Sequence, residues 1–150
     1  MIRGFFDPWV GFGHAPSVSV LISLPELPGI SAFIQFLIDS GADTSAIHPR
    51  DAERALGINF NIVRTALPDA RIERSLGIGG EAEYLVTTAH YAFVHDDGHW
   101  EEIAQPIRFA RPTTTNHPIP SIIGWDILEN FRLTLDWHAS LVSLDSTPPS

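Results

Sequence analysis

Apolar positions along this chain fall in short stretches, some alternating with polar residues and some continuous, each broken by glycine or proline. Ser17 to Leu24 starts as polar/apolar alternation and becomes continuously apolar, which predicts a half-buried strand. Pro25, Pro28 and Gly29 make a turn into Ala32 to Ile38, a stretch so apolar that it reads as a buried strand. Upstream, Met1 to Phe6 predicts a short first strand. Residues 1–16 as a whole read as an N-terminal arm, its Asp7 to Pro16 portion ordered by Pro, Gly and aromatics. Phe5, Phe6, Trp9 and Phe12 in that arm are expected to pack on the domain or on a partner. Pro49 to Gly57 predicts a short helix, with proline in its first turn and glycine just past its end. Asn59 to Leu67 is expected to include another strand, closed by a turn at Pro68-Asp69.

Beyond that turn, Arg71 to Leu76 and Glu81 to Val94 read as the arms of a long hairpin with Gly77-Ile78-Gly79-Gly80 at its tip. Asp96-Asp97-Gly98 supplies a second hairpin turn, and Trp100 to Ala110 returns as a strand whose Pro106 favours an edge or a bulge. After a loop from Arg111 to Pro120, Ile122 and Ile123 predict a short buried strand. Asp126 is then expected to cap a helix running through Phe131. Arg132 to Trp137 and Leu141 to Leu144 form a closing hairpin around His138-Ala139-Ser140, and residues 145–150 read as a flexible tail. With no repeat and no linker, the expectation is one domain over residues 1–150, mostly β with short helices.

Composition narrows the function classes. The 150 residues are enough for a core that folds alone. There is no cysteine, which removes disulfide and thiolate chemistry and fits a reducing compartment. A net charge of −9 argues against a sequence-independent nucleic-acid binder. No apolar run reaches the length of a bilayer span, and no secretory h-region precedes Asp7 and Pro8, so the expectation is a cytoplasmic protein away from membranes.

Chemistry concentrates where the Ala32 to Ile38 strand ends, in Asp39-Ser40-Gly41-Ala42-Asp43-Thr44. A carboxylate at the end of an apolar strand is costly unless hydrogen-bonded, paired or protonated. Gly41 permits a sharp turn and a close approach, and Ser40 adds a hydroxyl that donates and accepts. Alone, the stretch is equally a strand end closed by an Asx-turn. Two later stretches change that balance: Leu76-Gly77-Ile78-Gly79-Gly80, and Ser121-Ile122-Ile123-Gly124-Trp125-Asp126-Ile127-Leu128. In this order the three resemble the retropepsins, the retroviral-type aspartic proteases, over roughly Val18 to Leu144.

The resemblance implies a closed, barrel-like acid-protease fold with one lobe per chain, and a homodimer, because only one Asp-Ser-Gly copy is present. Asp39 of each chain would then hold the catalytic water, one carboxyl ionised and one protonated. The substrate would be a peptide or protein, with no cofactor and no metal. By the same resemblance, Ser40 locks the two loops across the dyad, Gly41 leaves room for substrate and Ala42 packs beneath it. Ile122, Ile123 and Gly124 pass behind the loop, and Gly77, Ile78, Gly79 and Gly80 form a flap that closes over the peptide beside Asp43. The chain departs from many viral members at Trp125, where an arginine that pairs with an acid at the position of Asp43 is common. Asp43 therefore needs another partner or remains solvated. The long C-terminal hairpin is expected at the dimer interface, two strands from each chain forming a shared sheet.

Other readings are weaker. His95-Asp96-Asp97-Gly98-His99 offers metal-ligand types, but Asp97-Gly98 is equally a hairpin turn, and the turn is favoured. His48 and His90 read as packing or surface residues, and the alternating ligands of an EF-hand are absent from the Asp39 loop. The alternative function is a catalytically weak dimeric module that grips extended peptides in the same groove.

Overall fold

Eight strands hydrogen-bond in the order β2-β3-β4-β9-β5-β8-β7-β6, and a further pairing of β3 with β7 closes six of them into a ring. These are β2 (Phe5–Trp9), β3 (Gly13–Ser23), β4 (Ser31–Ile38), β5 (Ala46–Ile47), β6 (Arg71–Gly77), β7 (Gly80–Val94), β8 (Trp100–Ala110) and β9 (Ile122–Ile123). A second sheet of three strands has β11 (Leu141–Ser146) between β1 (Ile2–Arg3) and β10 (Phe131–Asp136). The computed structural model describes residues 1–9, 13–77 and 80–147, and the backbone alone of residues 9, 13, 76, 77 and 80. The architecture is mostly β with short helices, as expected. Among the described residues, no helix is long and apolar enough to cross a membrane.

Apolar alternation fills the ring. Val18, Val20 and Ile22 of β3 meet Ile34, Phe36 and Ile38 of β4, all buried, together with Tyr91, Phe93, Ile107 and Phe109 from β7 and β8. Phe93 packs edge-on against Phe131 with ring centroids 5.1 Å apart, so the second sheet is fastened to the barrel. Contrary to the expectation of a fully buried strand, β4 alternates. Phe33 is exposed and lies 6.1 Å from the exposed Trp100 ring, because only one face of β4 looks into the barrel.

Local chemistry explains several boundaries. The helix at Pro49 forms as expected: α1 (Pro49–Asp51) runs into a π-helical turn (Ala52–Leu56) that ends on Gly57 at φ 67°, a left-handed position. The strand expected within Asn59 to Leu67 is instead a helix, α2 (Phe60–Ala66). Asn59 caps it by accepting from the Ile62 amide at 2.9 Å, and Phe60 and Val63, three apart, face the core. The Asp96-Asp97-Gly98 turn forms, with Gly98 at φ 91°. Pro106 lies where β8 is paired on one side only, by Thr88 of β7.

Three expected boundaries move. The third helix, α3 (Trp125–Leu128), stops short of Phe131, which opens β10. Asp126 does not cap it; Gly124 is the N-cap, with no side-chain bond. Asp145 and Ser146 belong to β11 rather than to a tail, pairing with Arg132 and Phe131. The N-terminal arm is built into the sheets: β1 pairs with β11 and β2 with β3. Phe6 packs edge-on against Trp137 at 5.0 Å, whereas Phe5 remains partly exposed. The side chain of Trp9 and all of Phe12 lie outside the described residues.

Because Asn59 supplies a cap and makes no core contact, Asn59→Ala should lower stability by about 1 kcal/mol without altering the fold. Urea denaturation checks this, and an unchanged midpoint would show that α2 is held by burial of Phe60 and Val63 alone.

Candidate functional site

Asp39 stands where β4 ends, and the loop that follows does not return to a neighbouring strand. β9 lies between β4 and β5, parallel to the first and antiparallel to the second. The Asp39 loop therefore bridges over Ile122-Ile123. Leu37 and Asp39 donate their amides to Ser121 and Ile123 at 2.9 and 3.0 Å, so the strand pattern continues up to the carboxylate. Ile123 is fully buried and Ile122 half-buried.

The crossing needs Gly124. A Cβ there would sit 2.7 Å from the Ala42 carbonyl oxygen and 2.9 Å from Thr44 backbone atoms. The absent side chain lets two backbones touch, and hydrogen bonds then tie them. Trp125 and Asp126 donate their amides to the carbonyls of Ala42 and Asp43 at 2.9 and 3.1 Å. The Trp125 indole donates to the Ser40 carbonyl at 2.6 Å. Below the crossing, buried Ser45 accepts from the Gly124 amide at 3.0 Å and donates its hydroxyl to Asp126 at 2.7 Å, while its amide donates to the same carboxylate at 2.9 Å. Asp126 is thus a cross-chain brace, 81 residues away in sequence from Ser45.

A second brace positions the start of β9. Asp51 accepts from the amide and hydroxyl of Ser121 at 3.1 and 2.6 Å, and the Ser121 hydroxyl accepts from the His48 amide at 3.0 Å. His48 is buried, and its Nδ1 has no hydrogen-bond partner among the described residues. Burial pushes its pKa below the ordinary histidine value, against smaller opposing effects of the Pro120 backbone and of Asp51. The ring is therefore held neutral.

Within this frame the Asp39 carboxylate is half-buried and accepts the Gly41 amide at 2.9 Å. The Ala42 amide closes the turn on the Asp39 carbonyl at 3.1 Å. Ser40 and Gly41 are exposed, and Ala42 is half-buried beneath the loop. Asp43 is exposed, and its carboxylate has no hydrogen bond or ion pair among the described residues. Trp125 explains why: it clamps the loop through a backbone carbonyl and leaves the acid solvated. The residues Asp39, Ser40, Gly41, Ala42, Asp43, Ile122, Ile123 and Gly124 are brought together.

The hairpin arms form, with β6 and β7 paired from Arg71 and Val86 up to Gly77 and Gly80. Ile78 and Gly79 lie outside the described residues, so the contact expected of Ile78 is not seen. At the root of the hairpin, Arg108 of β8 donates to Glu73 of β6 at 2.6 and 3.3 Å, and Arg71 lies 2.7 Å from the same carboxylate. The hydrogen bond from Arg108 is the main reason the Glu73 carboxyl titrates below its ordinary value.

Ser45, Asp51, Ser121 and Trp125 as a clamp were not singled out by sequence reasoning. Their partners lie 70 or more residues away, and only their position beside the Asp39 and Ile-Ile-Gly motifs could have marked them. In the hairpin turn, His95 and His99 stack at 3.8 Å and bond to Glu101 and Asp97. No group of three or more His, Asp or Glu among the described residues is placed to hold a metal ion.

Two outcomes follow from this frame. Gly124→Ala must displace backbone, so it should cost at least about 2 kcal/mol, read as a fall in the urea midpoint. For His48, the unfolded chain takes up a proton as pH falls through 6.5 while the folded chain does not. Stability should therefore drop between about pH 7.5 and about 5.5, with a smaller slope in His48→Gln. Equal slopes in the two proteins would show that His48 is not held neutral. Comparison of the chain with protein families and with curated proteins finds no match in either.

Proposed function

We propose that this chain is an aspartic endopeptidase of the retropepsin type, active as a homodimer that pairs two Asp39 carboxylates. The observation that carries the reading is the Asp39 loop itself. A half-buried carboxylate is aimed by the Gly41 amide, on a turn held from behind by Gly124, Trp125 and the Ser45–Asp126 brace. So much fixed backbone around one partly accessible acid suits a group that must hold a water molecule in place. One carboxylate can orient that water but cannot both accept and donate protons in one step, so the site is incomplete without a second copy.

The chemistry balances with two. The ionised carboxylate takes a proton from water as its oxygen attacks the peptide carbonyl carbon, and the protonated partner donates to the carbonyl oxygen. The tetrahedral diol then collapses: the C–N bond breaks, the amide nitrogen leaves with the proton held by the first carboxyl, and one diol hydroxyl returns its proton to the partner carboxylate, which restores the dyad and frees the carboxylic acid. The β6–β7 hairpin, braced at its root by Glu73 and Arg108, would close over the peptide. Docking of a second copy is supported by the open edge of β10, in which Leu135 is 49% exposed and just beyond which Trp137 is 57% exposed.

The test is hydrolysis of a peptide library. Cleavage should peak on the acidic side of neutrality with a bell-shaped pH profile, fall per chain on dilution, and ignore chelators. Asp39→Asn should reduce it by about 100-fold or more while still binding peptide. Cleavage that survives Asp39→Asn would refute the reading. Peptide binding by a wild type that never cleaves would favour the binding module instead.

A further inference from the structure

Burial along β4 places Ile34, Phe36 and Ile38 in the core, so Gln35 and Leu37 share the outward face that leads to Asp39. That face opens into a cleft of about 920 Å³, bounded by β2, β3, the start of α1 and the loop before β9. Leu37, Pro8 and Ile119 give it apolar walls. Three charged groups line it: Asp7, Arg50 and Asp51. Asp51 is already engaged, accepting from Ser121 and lying 3.9 Å from Arg50. Asp7 is different. It is half-buried, and among the described residues it has no hydrogen bond or ion pair.

A half-buried carboxylate without a partner in an apolar-walled cleft is a costly arrangement that a cation would relieve. The cation that also fits the walls has an apolar stem, as lysine and arginine side chains do. Their approach is favoured by the net charge of −9. Leu37 precedes Asp39 by two residues, about 7 Å along a strand, or roughly two residues of an extended peptide. We propose that this cleft is a subsite for a lysine or arginine side chain of the peptide substrate, two or three residues from the scissile bond, and that Asp7 determines its specificity. The assignment rests on the endopeptidase reading above.

A matched peptide series tests it, with lysine, arginine, norleucine, glutamine or glutamate placed in turn at each position near the cleaved bond. At one position, lysine and arginine should raise kcat/KM over glutamine by about tenfold, an advantage that shrinks with added salt. Asp7→Asn should bring the lysine-to-norleucine ratio close to one, and Asp7→Lys should reverse the preference towards glutamate. Circular dichroism confirms that both variants fold; should either fail, the salt dependence of the wild-type ratio still decides. Equal rates for lysine and glutamine at every position, or a preference that persists in Asp7→Asn, would overturn the proposal. Should no peptide be cleaved, the catalytic reading fails on its own, and the subsite is then read by fluorescence anisotropy of lysine and glutamine peptides on the same chain.

Discussion

Everything near Asp39 depends on one steric fact, the contact of two backbones at Gly124. β4 and β5 are consecutive in the chain, yet β9 lies between them. A connection that passes over another strand must leave room for that strand and still satisfy its own peptide groups. Gly124 supplies the room, since any Cβ would meet the Ala42 carbonyl at 2.7 Å. Amides of Trp125 and Asp126 supply the bonds. A loop that would ordinarily be mobile becomes an extension of the sheet, and its one oriented carboxylate inherits that rigidity.

The clamp is assembled without an ion pair to Asp43 among the described residues. Trp125 holds the loop by an indole N–H bonded to the Ser40 carbonyl at 2.6 Å. An ion pair at an exposed loop would be screened by salt, whereas a hydrogen bond to a backbone carbonyl is less so. Acids elsewhere are engaged structurally: Asp51 with Ser121, Asp126 with Ser45, Glu73 with Arg108. Among the described residues, Asp7 and Asp43 have no such partner.

Sequence patterns made the local features legible and left the distant ones hidden. Pro49 and Gly57 marked a helix, Asp97-Gly98 a turn, and the Asp-Ser-Gly and Ile-Ile-Gly stretches marked what would converge. Asn59 to Leu67 misled because Ile62 and Val63 are β-branched, although Asn59 as a cap and the 60/63 spacing carried the helical signal. Asp126 resembled a cap because it stands beside a helix start, and nothing nearby in the chain announced Ser45. Side-chain braces joining residues 70 or 81 positions apart are set by topology, and topology is what a one-dimensional pattern does not carry.

Under the proposed function, stability and catalysis place opposite demands on the same segment. The turn at Asp39 must keep its carboxylate open to water, so it buries little of its own surface and contributes little to folding. Its rigidity has to come from behind, through Ile123, Ser45 and Asp126, which are held by the barrel core and by Tyr91 beneath them. That division lets the exposed residues Ser40, Gly41 and Asp43 vary in chemistry without unfolding the domain, while Gly124 and Ser45 cannot. Specificity is then free to sit in side chains outside the clamp, on β2 and in the loop before β9, where a change of charge alters what is bound and leaves the crossing intact.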